Sequence, residues 1–250
     1  MSVLNAERIK LTTTKSPMWC SLIAVAASIG FAALVGVGYK SSTDSGDNPF
    51  GEFTASATQV GAVQFGSMLV MIMAALAVTT EYRFGVIRTT FQAIPNRTQV
   101  IAGKALLLAG FAAVLGLVIA LASFYLGQAT SGVSLSISEG DNARELFGVP
   151  IYFALVSVLA VGVGTLIRQS AGAISLLLLW PLVIESMATL IPKVGKYISE
   201  FGPFNNMNHF LGNGGSVDFH WGPWGSLLYF AAFVAIVFGA ALFLVNKRDA

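Results

Sequence analysis

Charged residues are scarce in this chain of 250 residues, where Asp, Glu, Lys and Arg together make up 10%. A typical soluble domain carries about a quarter charged residues, so this composition excludes a water-soluble fold. Hydrophobic residues make up 55% of the chain and the mean hydropathy is +0.75, which predicts a protein embedded in lipid. The net charge of +2 and the lack of a basic tail exclude nucleic acid as an expected partner. The single cysteine, Cys20, excludes an internal disulfide.

Motifs for hydrolytic chemistry are missing as well. The chain has no phosphate-binding loop of the form G-x-x-x-x-G-K-[ST], and no H-E-x-x-H or G-x-S-x-G sequence. His209, Asp218 and His220 do not have the spacing of a compact metal site, so they are interpreted as surface polar residues. We therefore expect no catalytic residue, metal ion or cofactor in this chain.

Six apolar runs are long enough to cross a bilayer, which needs roughly 20 residues of helix. Backbone amides have no water partner in hydrocarbon and the runs do not alternate as barrel strands do, so each run is predicted to be an α-helix. The predicted fold is a single all-α transmembrane domain over residues 1–250. Pro150 is expected in the first turn of the fourth helix, where a missing N–H costs nothing. The predicted crossings are residues 18–37, 57–79, 105–126, 149–167, 171–191 and 224–245.

The basic residues predict the orientation of these helices. Six crossings put both termini and the loops after crossings two and four on one side of the membrane. The positive-inside rule places that side in the cytoplasm, so both termini are predicted to be cytoplasmic. Ten of the fourteen Lys and Arg residues lie on that side: Arg8, Lys10, Lys15, Arg83, Arg88, Arg97, Lys104, Arg168, Lys247 and Arg248.

The segment between crossings five and six mixes aromatic residues with Gly, Pro and Asn. It is too apolar for a free loop, so we expect re-entrant short helices that dip into the outer leaflet, where irregular backbone needs a protein cover.

Glu185 is the one carboxylate that lies well inside a predicted crossing, four residues after Pro181. A charge at mid-bilayer costs on the order of 3 kcal/mol. Pro181 removes a helix hydrogen bond, so the helix is expected to kink there. Two interpretations stay open. Glu185 and Pro181 belong to a translocation path or gate, or Glu185 makes a structural hydrogen bond to a neighbouring helix or to backbone.

The connection between crossings two and three is rich in basic residues. Four apolar residues recur there at steps of three and four: Phe84, Ile87, Phe91 and Ile94. This spacing places them on one face of a short helix, which Pro95 ends because the residue before a proline avoids helical geometry. The pattern fits either a helix that lies on lipid or a helix that docks a cytosolic partner.

Four short motifs are spread along the chain. Glu81-x-x-x-Gly85 ends the second predicted crossing, and Pro95-x-Arg97 followed by Lys104 leads into the third. Residues 6–11 precede the first crossing, and residues 201–205 contain Pro-Phe-Asn ahead of the last. In this order the motifs resemble those of permease subunits of type-2 ATP-binding-cassette exporters. In that family the segment that corresponds to residues 6–11 is an N-terminal interfacial helix, although the family's usual Glu-Trp is Glu7-Arg8 here.

The resemblance implies that this chain is the membrane subunit of an exporter and not itself an enzyme. ATP and Mg would be bound by a separate cytosolic ATPase subunit, and a second permease subunit, identical or related, would complete the complex in the lipid bilayer. The charged helix is then a cytoplasmic coupling helix. Trimming Phe91 or reversing the charge at Arg88 is expected to weaken capture of the ATPase subunit. The residues expected at that contact are Glu81, Arg83, Phe84, Gly85, Ile87, Arg88, Phe91, Pro95 and Arg97.

The substrate is expected to be amphipathic or hydrophobic, such as a drug, an antibiotic or a lipid, because the crossings offer little charge to hold an ion. Two other functions stay open. One is a membrane scaffold or immunity protein without transport. The other is a polytopic membrane enzyme, which would need polar residues clustered at one depth, whereas the sequence offers only Glu185.

Overall fold

The computed structural model describes residues 15–46, 52–188, 191, 195–215, 217 and 219–247, and all regular structure within these residues is helical. Five helices are long and apolar enough to cross a membrane, and they coincide with five of the predicted crossings. They are α1 (Lys15–Asp44), α2 (Ala55–Arg83), α4 (Arg97–Ser131), α5 (Asn142–Ile167) and α9 (Pro223–Lys247). Within α2, Ala62–Gly66 form a π-helical segment. The shorter helices are α3 (Val86–Ala93), α6 (Ser170–Leu179), α7 (Gly195–Glu200) and α8 (Pro203–Phe210).

All five long helices extend beyond the predicted boundaries at one end or both; α5 ends at Ile167, as predicted. With 35 residues, α4 is the longest of them. At 1.5 Å per residue its length is roughly 52 Å, well above the ~30 Å of a hydrocarbon core. The apolar pattern marks only the part of a helix that lies in lipid, whereas the ends continue where water or neighbouring side chains can satisfy polar groups.

The start of α5 corrects the prediction for Pro150. The helix begins at Asn142, so Pro150 lies inside it and not in its first turn. Two charged residues, Arg144 and Glu145, lie before the predicted start of this crossing. The structure includes both in the helix, because each forms hydrogen bonds with other parts of the chain. Arg144 donates a hydrogen bond to the backbone carbonyl of Phe210, and Glu145 accepts one from the backbone N–H of Ser56.

The fifth predicted crossing, residues 171–191, has a different form from the other five. The α-helix α6 ends at Leu179, continues as a π-helix over Trp180–Glu185 and closes with Ser186–Ala188. Pro181 lies at the start of the π-helix, so the expected kink takes the form of a locally widened helix. The apolar helical stretch Ser170–Glu185 is shorter than the five candidate spans, so a sixth crossing stays a prediction.

α5 forms the centre of the bundle and packs against α2, α4, α6 and α9. Its residues are the most buried of the five long helices, while α1 and α9 are among the most exposed. The exposed residues of α1 and α9 include large apolar side chains such as Leu34, Leu228 and Ile236. Such surfaces suit contact with lipid.

The bundle has two ends that differ in charge. We call the end formed by α3, the α5–α6 turn and the last turn of α9 the basic end, because it holds Arg83, Arg88, Arg97, Lys104, Arg168 and Lys247. The opposite end holds α7 and α8, which are short helices as predicted, while their re-entry into the leaflet stays a prediction. The predicted N-terminal interfacial helix at residues 6–11 lies outside the described residues, and so does Asp218.

Candidate functional site

A sharp turn joins α2 to α3 at the basic end. The backbone N–H of Phe84 donates to the carbonyl of Thr80 at 2.9 Å and closes α2. Gly85 follows in the left-handed conformation, with φ of 71°, and α3 begins at Val86. A residue with a Cβ atom is disfavoured at such an angle, so glycine fits this position.

The turn also corrects the predicted apolar face of the charged helix. Ile87 and Phe91 are buried, with 2% and 8% of their surface exposed, as one face of a helix requires. Phe84 lies before the helix and is 70% exposed, because Gly85 interrupts the helical geometry between Phe84 and Ile87. Ile94 caps the C-terminus of α3 in an extended conformation, directly before Pro95 as predicted.

The buried face of α3 rests on the chain itself. α3 packs against α2 and α4. The guanidinium of Arg97 lies 5.4 Å from the centroid of the Phe91 ring and donates to the carbonyl of Val245 in α9 at 3.2 Å. Nearby, Asn246 donates to the hydroxyl of Thr98 at 2.8 Å. The start of α4 therefore joins α3 to the last turn of α9.

A buried ion pair connects α2 to α4 beneath this turn. Nζ of Lys104 lies 2.9 Å from Oε1 of Glu81, and the two side chains are 2% and 10% exposed. Nζ also donates to the carbonyl of Ala77 at 3.4 Å. The sequence drew attention to both residues, but it did not include Lys104 among the expected site residues.

The α5–α6 turn forms the third part of the basic end. The guanidinium of Arg168 lies over the ring of Tyr82, 5.0 Å from its centroid. The hydroxyl of Ser170, at the start of α6, lies 2.8 Å from that of Thr79. The sequence predicts neither contact. Its one local signal is the short connection between α5 and α6, which keeps Arg168 and Ser170 close to the ends of both helices.

Glu185 lies at the opposite end and is 3% exposed. Its carboxylate accepts hydrogen bonds from the backbone N–H groups of Phe204 at 3.1 Å and Asn205 at 2.7 Å. The indole of Trp180 donates a third hydrogen bond at 2.9 Å. The first two donors lie in the first turn of α8, so Glu185 acts as the N-terminal cap of that helix, where a negative charge is favoured. This is the neighbouring-helix hydrogen bond of the second interpretation, while a role of Glu185 and Pro181 in a path or gate stays a prediction.

A second glutamate caps a helix in the same way. Oε2 of Glu145 in α5 accepts a hydrogen bond from the backbone N–H of Ser56, in the first turn of α2, at 2.7 Å. Thr54 caps the same turn by accepting from Ala57 at 3.4 Å. The opposite end is thus held together by carboxylates that one helix supplies to the N-terminus of another.

A comparison with known families agrees with the family resemblance that the sequence motifs suggested. The family model described as an ABC-2 family transporter protein matches residues 3–184. The chain belongs to this ABC-2 family. It is therefore a membrane subunit of an ATP-binding-cassette transporter, a complex in which a separate ATP-binding subunit is the partner. The match covers α1 to α6 and stops before Glu185, so α7, α8, α9 and the Pro-Phe-Asn motif lie outside it. No curated protein matches the chain.

Two cavities of the ABC-2 subunit lie next to the π-helix Trp180–Glu185 that follows α6. One is a groove of about 370 Å³ beside Glu185, lined mainly by Trp180, Ile184, Tyr197, Ile198, Phe201 and Pro203. The other is a small cavity of about 50 Å³ between α2, α5, α8 and the π-helix after α6, lined by Ser67, Met68, Tyr152, Pro181, Asn205 and others. Within the described residues, no three His, Cys, Asp or Glu side chains come together as a metal site.

Replacing Glu185 is expected to lower the stability of the ABC-2 subunit in two steps. Glu185→Gln keeps one acceptor oxygen, so it should cost about 1 kcal/mol, whereas Glu185→Leu should cost about 3 kcal/mol because buried N–H groups lose their acceptors. The midpoint of thermal unfolding in detergent measures both. Equal midpoints for the two variants would contradict the capping role.

Adding one methyl group at Gly202 should disturb the same contact. A Cβ atom there would lie 2.7 Å from Oε2 of Glu185, so Gly202→Ala is expected to destabilise the fold by about 1–3 kcal/mol. Gly110→Ala in α4 is the matched control, because a Cβ atom at Gly110 meets no atom within 4 Å. Thermal unfolding of both variants tests the difference, and similar midpoints would count against a tight Glu185–α8 contact.

Proposed function

We propose that this ABC-2 subunit pairs with a second permease subunit and with cytosolic ATPase subunits to export an amphipathic or hydrophobic substrate. In this proposal the complex lies in the plasma (inner) membrane of a bacterium. The helical stretch from α6 through its π-helix is the sixth crossing, and the basic end faces the cytoplasm together with both termini. ATP and Mg are bound by the ATPase subunits, and hydrolysis takes place there.

The exposed side of the α2–α3 turn carries this proposal. Phe84 and Val86 are 70% and 43% exposed, and the neighbouring Arg83 and Arg88 are exposed as well. The guanidinium of Arg83 lies 5.5 Å from the centroid of the Phe84 ring. We call these four residues the docking surface. An exposed aromatic residue with basic neighbours is typical of the anchors found at protein interfaces.

The buried face of α3 supports docking over lipid contact. An interfacial helix lays its apolar face on lipid. In α3 that face, with Ile87 and Phe91, is buried within the chain, and the side left exposed carries Arg88, Thr89 and Gln92. Ile87 and Phe91 therefore act in coupling as anchors of the helix, while the docking surface contacts the ATPase subunit.

The remaining predicted coupling residues shape this surface. Gly85 makes the turn that exposes Phe84, and Pro95 ends α3. Glu81 fixes the last turn of α2 through Lys104, and Arg97 fixes the end of α3 through Phe91 and Val245. A force applied to the docking surface thus reaches α2, α4 and α9 through short contacts.

The groove beside the π-helix after α6 supports the substrate class. The groove is lined mainly by apolar and aromatic side chains, and the carboxylate of Glu185 at its edge is already occupied by three hydrogen bonds. Such a lining suits a hydrophobic or amphipathic molecule better than an inorganic ion.

Co-purification with an ATP-binding-cassette ATPase encoded beside this chain tests the proposal. Capture in nanodiscs and faster ATP hydrolysis with a panel of amphipathic drugs are expected. Capture without any change in hydrolysis would favour the scaffold or immunity function. Failure to capture an ATPase would contradict the proposed function as a whole.

A further inference from the structure

Arg168 has an unusual backbone conformation for its residue type. It is the one residue other than glycine with a positive φ, 60°, in the described part of the chain. It ends α5, and its backbone N–H donates to the carbonyl of Gly164 at 2.9 Å. Glycine is the usual residue at this position of a helix end, because a Cβ atom strains the left-handed conformation. An arginine that tolerates this strain points to a use for its side chain.

The side chain of Arg168 reaches the last turn of α2. Its guanidinium covers the ring of Tyr82 at 5.0 Å, three residues before Gly85 and the docking surface. The neighbouring hydrogen bond between Ser170 and Thr79, at 2.8 Å, joins the first residue of α6 to the same turn. Two adjacent contacts therefore attach the start of α6 to the end of α2.

The π-helix that continues α6 is attached at its far end as well. The π-helix that continues α6 ends at Glu185, which caps α8 at the opposite end of the bundle. One helix thus connects the turn that carries the docking surface to the short helices beyond the groove. The π-helix Trp180–Glu185 forms the last part of this stretch and contains Glu185 itself, and π-helical turns are frequent at functional sites.

We propose that Arg168 is a positioning residue for transport, whose contact with Tyr82 makes α6 follow the last turn of α2 when the ATPase subunit moves the docking surface. The inference rests on the proposed function, because it needs an ATPase subunit that acts on α3. It assigns to the α5–α6 turn a role in carrying that movement to the groove and to α8.

Single cysteines provide the test, since Cys20→Ser leaves the chain without cysteine. Met187→Cys reports on the helical turn Ser186–Ala188 that follows the π-helix, and Gln92→Cys reports on α3; both positions are exposed. The rate of modification by a maleimide is measured in complexes with the ATPase subunit, without nucleotide and with ATP bound to a hydrolysis-blocked ATPase. We expect both rates to depend on ATP in the parent.

Arg168→Gly removes the guanidinium and suits the left-handed backbone, so the turn is expected to stay intact. In this variant the rate at position 187 should lose its dependence on ATP, while the rate at position 92 keeps it and the ATPase subunit is still captured. Tyr82→Leu should give the same loss. Tyr82→Phe keeps the aromatic ring under the guanidinium and should behave as the parent.

Three results would overturn the inference. One is a parent in which position 187 does not respond to ATP, and another is an Arg168→Gly variant in which it still responds. The third is an Arg168→Gly variant in which both positions stop responding, because Arg168 would then act on docking itself. A parent that captures no ATPase contradicts the proposed function, which separates that failure from the failure of this inference.

Discussion

Glu81→Gln and Lys104→Met are each expected to destabilise the protein by about 3–5 kcal/mol, because each leaves a buried charge without its closest counter-charge. The two atoms of this pair lie 2.9 Å apart, and both side chains are at least nine-tenths buried. The double variant leaves no buried charge at either position and should recover a large part of the stability, because a neutral amide needs no counter-charge. Unfolding in mixed micelles measures all three variants.

The exposed pair between Asp141 and Arg144 is the matched control. Its atoms also lie 2.9 Å apart, but the side chain of Asp141 is 70% exposed. Hydrogen bonding to Arg144 lowers the pKa of Asp141, and solvent screens this attraction. Asp141→Asn is therefore expected to cost at most about 1 kcal/mol. If Glu81→Gln cost no more than Asp141→Asn, or the double variant were as unstable as the single ones, the ion pair would not hold α2 to α4.

Phe84→Ala and Phe91→Ala are expected to impair different properties, although the two aromatic residues are only seven positions apart. Phe84 is exposed on the docking surface, so its loss should weaken binding of the ATPase subunit by about 2 kcal/mol, roughly thirtyfold, with unchanged unfolding. Phe91 is buried, so its loss should cost about 3–5 kcal/mol of stability. Titrated pull-down and thermal unfolding separate the two effects.

Phe147→Ala is the control for the exposed position, because Phe147 is 48% exposed at the opposite end. It should change neither measurement. Arg88→Glu should behave like Phe84→Ala, as the sequence alone also predicted. Should Phe84→Ala bind the ATPase subunit as the parent does, the docking surface is assigned to the wrong residues.

The long helices could be predicted from the sequence because hydrocarbon imposes a simple rule on apolar runs. Their ends could not, since they depend on partners distant in sequence. Glu145 extends α5 beyond the predicted start at residue 149, and its partner Ser56 lies 89 residues earlier. The π-helix after α6 was also hidden, because the sequence showed Pro181 but not how the helix would absorb it.

The site was predictable where the pattern is local. The spacing of Ile87 and Phe91 gave the buried face of α3, and Pro95 gave its end. Phe84 was placed wrongly because its spacing fits a helix, although Gly85 carried a signal for a helix end. The contact between Lys104 and Glu81 spans 23 residues and two helices, so no local pattern encodes it.

The glutamate caps also bear on how the protein is made. A ribosome adds about 5–20 residues per second, so the first turn of α2 is synthesised roughly 5–20 s before Glu145, 89 residues later. Until then the backbone N–H of Ser56 needs another hydrogen-bond acceptor, such as water or a lipid headgroup. The first turn of α8 follows Glu185 by only about 20 residues, so the carboxylate of Glu185 has already been synthesised when this turn leaves the ribosome. Biosynthesis therefore closes the α2 contact late and the α8 contact almost at once, and an arrest of translation between residues 56 and 145 would leave α2 inserted without its glutamate partner.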